Sequence, residues 1–214
     1  MKIKICGITC LEDAWFAVEA GVDMLGFNFY PPSPRSISAK ACTQILTEIN
    51  KGKRRVQTIG VFVNEKPEAI YQILEQCGLD MAQLSGDEPP ETLEALPGRA
   101  FKAIRPRSRK TALEQARLYA RPRQIPALLV DAYLPNLYGG TGQTGDWQLG
   151  KDLSECYSIL LAGGLTAENV AAAIQHVHPW GVDVASGVES RPGRKDPQKV
   201  SKFIEAVRSY KMEA

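Results

Sequence analysis

Short apolar runs and helical patterns alternate along the whole chain. Residues 2–6, 24–29, 58–63, 80–84, 101–105, 127–131, 157–162 and 181–185 are brief runs rich in Ile, Val, Leu, Phe and Met. Most are apolar at successive positions, the pattern of a strand covered on both faces in a parallel sheet. Between them, residues 11–20, 38–50, 67–76, 90–96, 111–120, 167–176 and 197–210 carry apolar residues at helical spacing. Pro67 opens one of these helices, and Gly21 and Gly78 close two, where a ring-fixed φ and a left-handed φ suit helix ends. A further helix, from about 148, is expected to be short or broken by Gly150, and the longest loop, 132–146, precedes it. About eight strand-helix repeats close a (β/α)8 barrel, whereas a doubly wound sheet would leave the last units without a place. The expectation is an α/β fold, a single lean TIM barrel over residues 1–214 with no linker or second domain.

Composition narrows the chemistry. A chain of 214 residues with 44% hydrophobic and 23% charged positions supports one sizeable core. The net charge of +2 comes with no dense basic block, so nucleic acid is not expected as a partner. No stretch approaches the ~18 apolar residues of a membrane span, and the chain enters its first strand without a signal-type apolar region. The cysteines (Cys6, Cys10, Cys42, Cys77 and Cys156) are scattered and form no CxxC pair, which argues against a disulfide framework or a zinc site. His176 and His178 precede Pro179 and read as surface residues at a helix end. These features point to a cytoplasmic protein needing neither metal nor cofactor.

In such a barrel the reactive groups sit at the carboxyl ends of the strands. Cys6 ends the first strand and Asp131 the sixth; eightfold closure lets their side chains face each other across the mouth. A thiol and a carboxyl flanking a sugar phosphate suit a general base and a general acid. Residue type alone leaves alternatives open: Cys6 as a small core side chain, Asp131 as a carboxylate pinning a loop. Arg35, held among prolines after the second strand, suits bidentate recognition of a carboxylate. Asp87 and Glu88 read as helix N-terminal acids. The last two strands lead into Gly163-Gly164 and Ser186-Gly187, turns whose backbone can approach a phosphate and aim N–H groups at it.

Lys4-Ile5-Cys6-Gly7-Ile8, Ser33-Pro34-Arg35, Val61-Phe62-Val63 and the loop from Asp131 through Gly139-Gly140-Thr141-Gly142 occur in order along the chain. Leu161-Ala162-Gly163-Gly164-Leu165, then Gly181-Val182-Asp183-Val184 through Ser186-Gly187-Val188-Glu189, and finally Gly193, Lys195 and Asp196 complete the series. Together they resemble the signature of the phosphoribosylanthranilate isomerase family over nearly the whole length. The resemblance implies an Amadori rearrangement of N-(5′-phosphoribosyl)anthranilate in tryptophan biosynthesis. It further implies Asp131 as general acid, Cys6 as general base, Arg35 on the anthranilate carboxylate, and Gly163, Gly164, Ser186 and Gly187 around the 5′-phosphate. The chain would act on this small molecule as a monomer or homodimer. Two positions depart from the family pattern: Ser85 stands where a histidine is usual, and Gly145 where an aromatic is common. The alternatives are the related histidine-pathway sugar isomerase, whose pattern has an aspartate in place of Cys6, and a phosphosugar-binding barrel without catalysis.

Overall fold

Eight strands close into one parallel barrel in chain order, each hydrogen-bonded to the next and the eighth to the first. They are β1 (Lys2–Cys6), β2 (Met24–Asn28), β3 (Gln57–Phe62), β4 (Met81–Leu84), β5 (Ala100–Ile104), β6 (Leu128–Asp131), β7 (Ile159–Ala162) and β8 (Gly181–Val184). Helices α1 (Leu11–Ala20), α2 (Ala39–Ile49), α3 (Pro67–Cys77), α4 (Pro90–Glu94), α5 (Arg109–Tyr119), α6 (Trp147–Ser154), α7 (Val170–Val177) and α8 (Pro197–Ser209) follow the strands. The structure, a computed structural model, describes residues 1–52, 54–121, 123–131 and 147–210. The whole 132–146 loop, with its Gly139 to Gly142 run and Gly145, therefore lies outside the described residues.

The predicted elements fall on these strands and helices with ends shifted by a few residues. Gly21 and Gly78 cap α1 and α3 in the left-handed region, at φ 102° and 71°. Asp196 caps α8 by accepting from the N–H groups of Gln198 and Lys199. Gly150 does not break α6, which runs through it without interruption. A Cβ there would lie 3.2 Å from Val177 and 3.3 Å from Leu161, so this glycine lets the helix pack tightly against α7 and β7. The sequence reading missed a small hairpin, β9 (Glu189–Arg191) with β10 (Arg194–Lys195), which follows a 3₁₀ turn at Ser186–Val188. Its residues are charged or turn-forming and show no apolar alternation, so no strand signal was present.

Two hydrophobic layers make the core. Inside the bore, Met24, Ile59, Met81, Phe101, Leu129 and Leu160 pack against one another. Outside the wall, Ile3, Ile5, Leu25, Phe27 and their counterparts pack under the helices. Successive residues of a strand point to opposite faces. In β1, Ile3 and Ile5 therefore pack under the helices while Lys4 and Cys6 point into the bore. Lys4, a polar position inside this alternating strand, does not face water.

Glu88 is not a helix N-terminal acid. It is 3% exposed and pairs with Lys102 of β5, while its other oxygen accepts from the N–H groups of Asn64 (2.8 Å) and Gly86 (3.0 Å). Burial works to raise its carboxyl, but the hydrogen bonds and the Lys102 charge outweigh it and hold the group below the usual carboxylate range. The stability this contributes is present above the unfolded value of about 4.3 and is lost as pH falls through the lower folded value. Glu88→Gln, which strands the Lys102 charge, is expected to cost about 3–5 kcal/mol at neutral pH. Because the variant lacks that titration, its deficit should shrink on acidification. Urea unfolding across a pH series checks this; a deficit unchanged down to about pH 3 contradicts it.

Candidate active site

The upper part of the bore is polar. Lys4 has no solvent exposure, and its Nζ donates to Asp183 Oδ1 at 2.7 Å and to Gln83 Oε1 at 2.9 Å. Gln83 Nε2 in turn donates to Ser85 Oγ at 3.0 Å. The network thus links β8, β1 and β4 across the bore. Burial works to lower the Lys4 pKa, but the charges of Asp183 and Cys6 and the hydrogen bonds to them raise it overall, so the ammonium is retained.

Cys6, half-buried, ends β1 on the same face. Gly26 of β2 lies beside it in register, and a Cβ there would sit 2.8 Å from Cys6 Sγ and 3.1 Å from Lys4 Nζ. Only glycine leaves room for both groups. Burial pushes the Cys6 thiol above its ordinary value; Lys4 and Lys195 pull it down, and Asp183 adds to the rise.

Arg35 lies on the neighbouring stretch of rim. Its Cδ is 2.7 Å from the point a Cβ on Gly7 would occupy, so its stem crosses the backbone just after Cys6. The guanidinium is not wholly available to a ligand, as the sequence had suggested. Its Nε and Nη2 fork onto Glu189 at 2.8 and 2.7 Å, and Nη1 makes no hydrogen bond among the described residues. Glu189 also receives Lys195 Nζ at 3.0 Å and the Gly193 N–H at 3.3 Å. Burial works to raise the Glu189 carboxyl, but Arg35 and Lys195 hold it below the usual range. The hairpin that the sequence reading missed therefore forms one wall of the site.

A cavity of about 370 Å³ gathers the remaining candidates: Asp131, Gly163, Gly164, Ser186 and Gly187, with Asp183 among the other lining residues. Gly163 and Gly164 adopt φ of 99° and 63°, a left-handed pair that other residues resist. A Cβ on Gly187 would collide with the Leu165 carbonyl, so the two turns touch through their backbones. No turn, loop or cap hydrogen bond among the described residues uses the backbone N–H of Gly163, Gly164, Ser186 or Gly187. Asp131, at the end of β6, accepts from Arg105 Nε at 3.3 Å. Asp183 joins the halves of the site: it lines the cavity and grips the lysine beside Cys6. Since β6, β7, β8 and β1 are consecutive around the ring, all these groups share one side of the rim.

A larger cavity, about 740 Å³, lies at the opposite end, against the strand starts at Gln57 and Met81 and the segment around Arg121 and Gln124. Barrel chemistry occurs at the carboxyl ends, which assigns the site to the smaller cavity. His176 and His178 are exposed at the end of α7, away from both. Lys4, Gln83, Asp183 and Glu189 were not singled out from the sequence as functional. The available signal was a lysine alternating with isoleucines in a strand that a closed barrel covers on both faces.

The fold and this rim define a (β/α)8 barrel of the kind that handles a small ligand at its strand ends. Residues 3–206 match the family described as N-(5'phosphoribosyl)anthranilate (PRA) isomerase. The chain is 44% identical to the N-(5'-phosphoribosyl)anthranilate isomerase of Pelobacter propionicus, over all of this chain and 99% of that one. Phosphoribosyl anthranilate isomerase from Thermotoga maritima superposes with a TM-score of 0.85 at 39% identity, over 97% of this chain and 98% of that one. A phosphoribosyl anthranilate isomerase solved with reduced 1-(o-carboxyphenylamino)-1-deoxyribulose 5-phosphate gives a TM-score of 0.82 at 35% identity over the same shares. The chain belongs to the phosphoribosylanthranilate isomerase family.

Gly187→Ala forces a methyl group into the Leu165 carbonyl, so the two turns must part. Overpacking of this kind costs about 1–3 kcal/mol. A urea midpoint equal to that of the unaltered protein would show that the turns do not depend on each other.

Proposed function

We propose that this chain converts N-(5′-phosphoribosyl)anthranilate to 1-(2-carboxyphenylamino)-1-deoxyribulose 5-phosphate, the Amadori rearrangement of tryptophan biosynthesis. The observation that carries the assignment of roles is the single cavity holding Asp131 with both glycine turns, tied through Asp183 and Lys4 to Cys6. The 5′-phosphate sits on the main-chain amides of Gly163, Gly164, Ser186 and Gly187, where it needs no cationic side chain. The edge of Arg35 that Glu189 leaves open receives the anthranilate carboxylate.

Asp131 protonates the furanose ring oxygen, and the C1′–O bond breaks to give the Schiff base, with the ring oxygen becoming the 4′-hydroxyl. The iminium makes the C2′ hydrogen acidic, and the Cys6 thiolate removes it. A proton returns to C1′ as the C2′ hydroxyl gives up its own, which turns the enolamine into the ketone and restores the Asp131 acid, so the rearrangement needs no co-reactant. Because burial raises the Cys6 thiol, the thiolate is a minor species at neutral pH. The acidity of the iminium makes that fraction sufficient, and kcat/KM rises with pH until the thiol has ionised.

Every step acts on one small molecule, with no role for nucleic acid, in a single barrel domain working as a monomer or homodimer. All five cysteines are free, which suits the reducing cytoplasm. No helix among the described residues is long and apolar enough to cross a membrane.

Cys6→Ser and Asp131→Ala each remove one proton-transfer group, and each is expected to lower kcat by about 10²–10⁴. Affinity for the reduced product should change little, since neither residue holds the phosphate or the carboxylate. Steady-state kinetics with binding measurements on the same variants check the assignment. Turnover within a few-fold of the unaltered enzyme would remove that residue from the mechanism.

A further inference from the structure

The charged groups around Cys6 do not balance. Lys4 pairs with Asp183, while Arg35 and Lys195 share the one carboxylate of Glu189. Four of these five groups are nearly closed to solvent: the Lys4, Asp183, Glu189 and Lys195 side chains are 0, 10, 5 and 2% exposed, and Arg35 is 25% exposed. Asp13, which receives the Lys195 backbone N–H at 2.7 Å, has a cation of its own in Arg194 at 3.5 Å and so does not neutralise the ammonium. β2 brings Gly26 against the thiol, and β8 brings Asp183 to the lysine beside it. The cluster therefore holds three cations against two carboxylates.

We propose that Lys195 is a positioning residue for Cys6: it is the cation in excess, and a thiolate at Cys6 is the charge that balances it. Glu189 is bound by both oxygens to the Arg35 fork and has only a shared oxygen left for Lys195. The Lys195 ammonium also donates to the Ala185 carbonyl at 3.2 Å, a partner that offers no countercharge. Interior charges act at low effective dielectric, so an unmatched ammonium attracts an anion wherever one can form nearby. Ala185 follows Val184, which pairs in register with Ile5, so the ammonium stands at the strand end beside Cys6, whose thiol it pulls down against burial. The hairpin β9–β10 thus sets the charge that opposes burial of the thiolate, and Glu189 sets how much of that charge Cys6 receives.

This inference rests on Cys6 being the base, and the experiment separates the two. Iodoacetamide alkylation is followed against pH at Cys6 itself by peptide mass spectrometry, in the full chain and its variants, with circular dichroism confirming the fold. The alkylation profile of Lys195→Met should move to higher pH by about one unit or more, and that of Lys195→Arg should stay near the unaltered one. Glu189→Gln, which removes a carboxylate, should move it to lower pH. A purely structural role does not move the two variants in opposite directions, so Glu189→Gln still tests the idea should Lys195→Met fail to fold. Profiles that stay put in folded variants, or a Lys195→Met effect confined to KM, overturn it. If alkylation shifts as stated while the pH limb of kcat/KM stays where it was, the charge inference stands and Cys6 is not the base.

Discussion

The structure depends on one buried contact, the 2.7 Å pair between Lys4 and Asp183. An ammonium without solvent exposure is tolerable only where a carboxylate and further acceptors replace its water. Here Asp183 and Gln83 do so, and Gly26 keeps the space open. A barrel filled with apolar layers throughout would have been simpler to stabilise, since a buried ion pair seldom adds more than a hydrophobic replacement of equal volume. What the pair provides is location. It marks the height at which the bore changes from the Met24, Ile59 and Phe101 layer to ionisable groups, and it holds Cys6 and the anion cavity on either side of Asp183.

From that contact the division of labour around the rim follows. Strands β6, β7 and β8 deliver a carboxyl group and two glycine-bearing turns, while β1 and the loop after β2 deliver a thiol and a guanidinium. Under the proposed mechanism the two sets have opposite needs: the turns bind charge through backbone dipoles, and the thiol must gain a charge in a confined space. The hairpin Glu189–Lys195 meets the second need, feeding one carboxylate and one ammonium into the same cluster. Arg35 borders both sets, and the part of its fork held by Glu189 orients the rest.

The barrel was legible because its signal is repeated: most strands are apolar runs, the helices show their period, and Gly21 and Gly78 mark ends where only a left-handed residue fits. Glycine was ambiguous where its use is packing rather than conformation: α6 is short, as expected, but Gly150 lies unbroken inside it against Val177. In the site, Cys6, Asp131 and the two glycine turns could be placed because each sits at a strand end. Lys4, Gln83 and Asp183 could not, since a polar residue within a strand normally means solvent and only closure of the ring reverses that meaning. Glu189 and Lys195 stood in the family signature without a role, because partners more than a hundred and fifty residues apart, such as Arg35 and Glu189, meet through tertiary folding alone. Glu88 shows the same limit, its partner Lys102 lying on the next strand.

The central claim is spatial: thiol, carboxyl and anion cradle address one five-carbon sugar. A crystal structure of this chain with the reduced product, 1-(o-carboxyphenylamino)-1-deoxyribulose 5-phosphate, tests it most directly. The account places the phosphate on the amides of Gly164 and Gly187, C2′ within about 3.5 Å of Cys6 Sγ, and the 4′-hydroxyl beside Asp131. A phosphate bound elsewhere, or a sugar whose C2′ faces away from the sulfur, contradicts it.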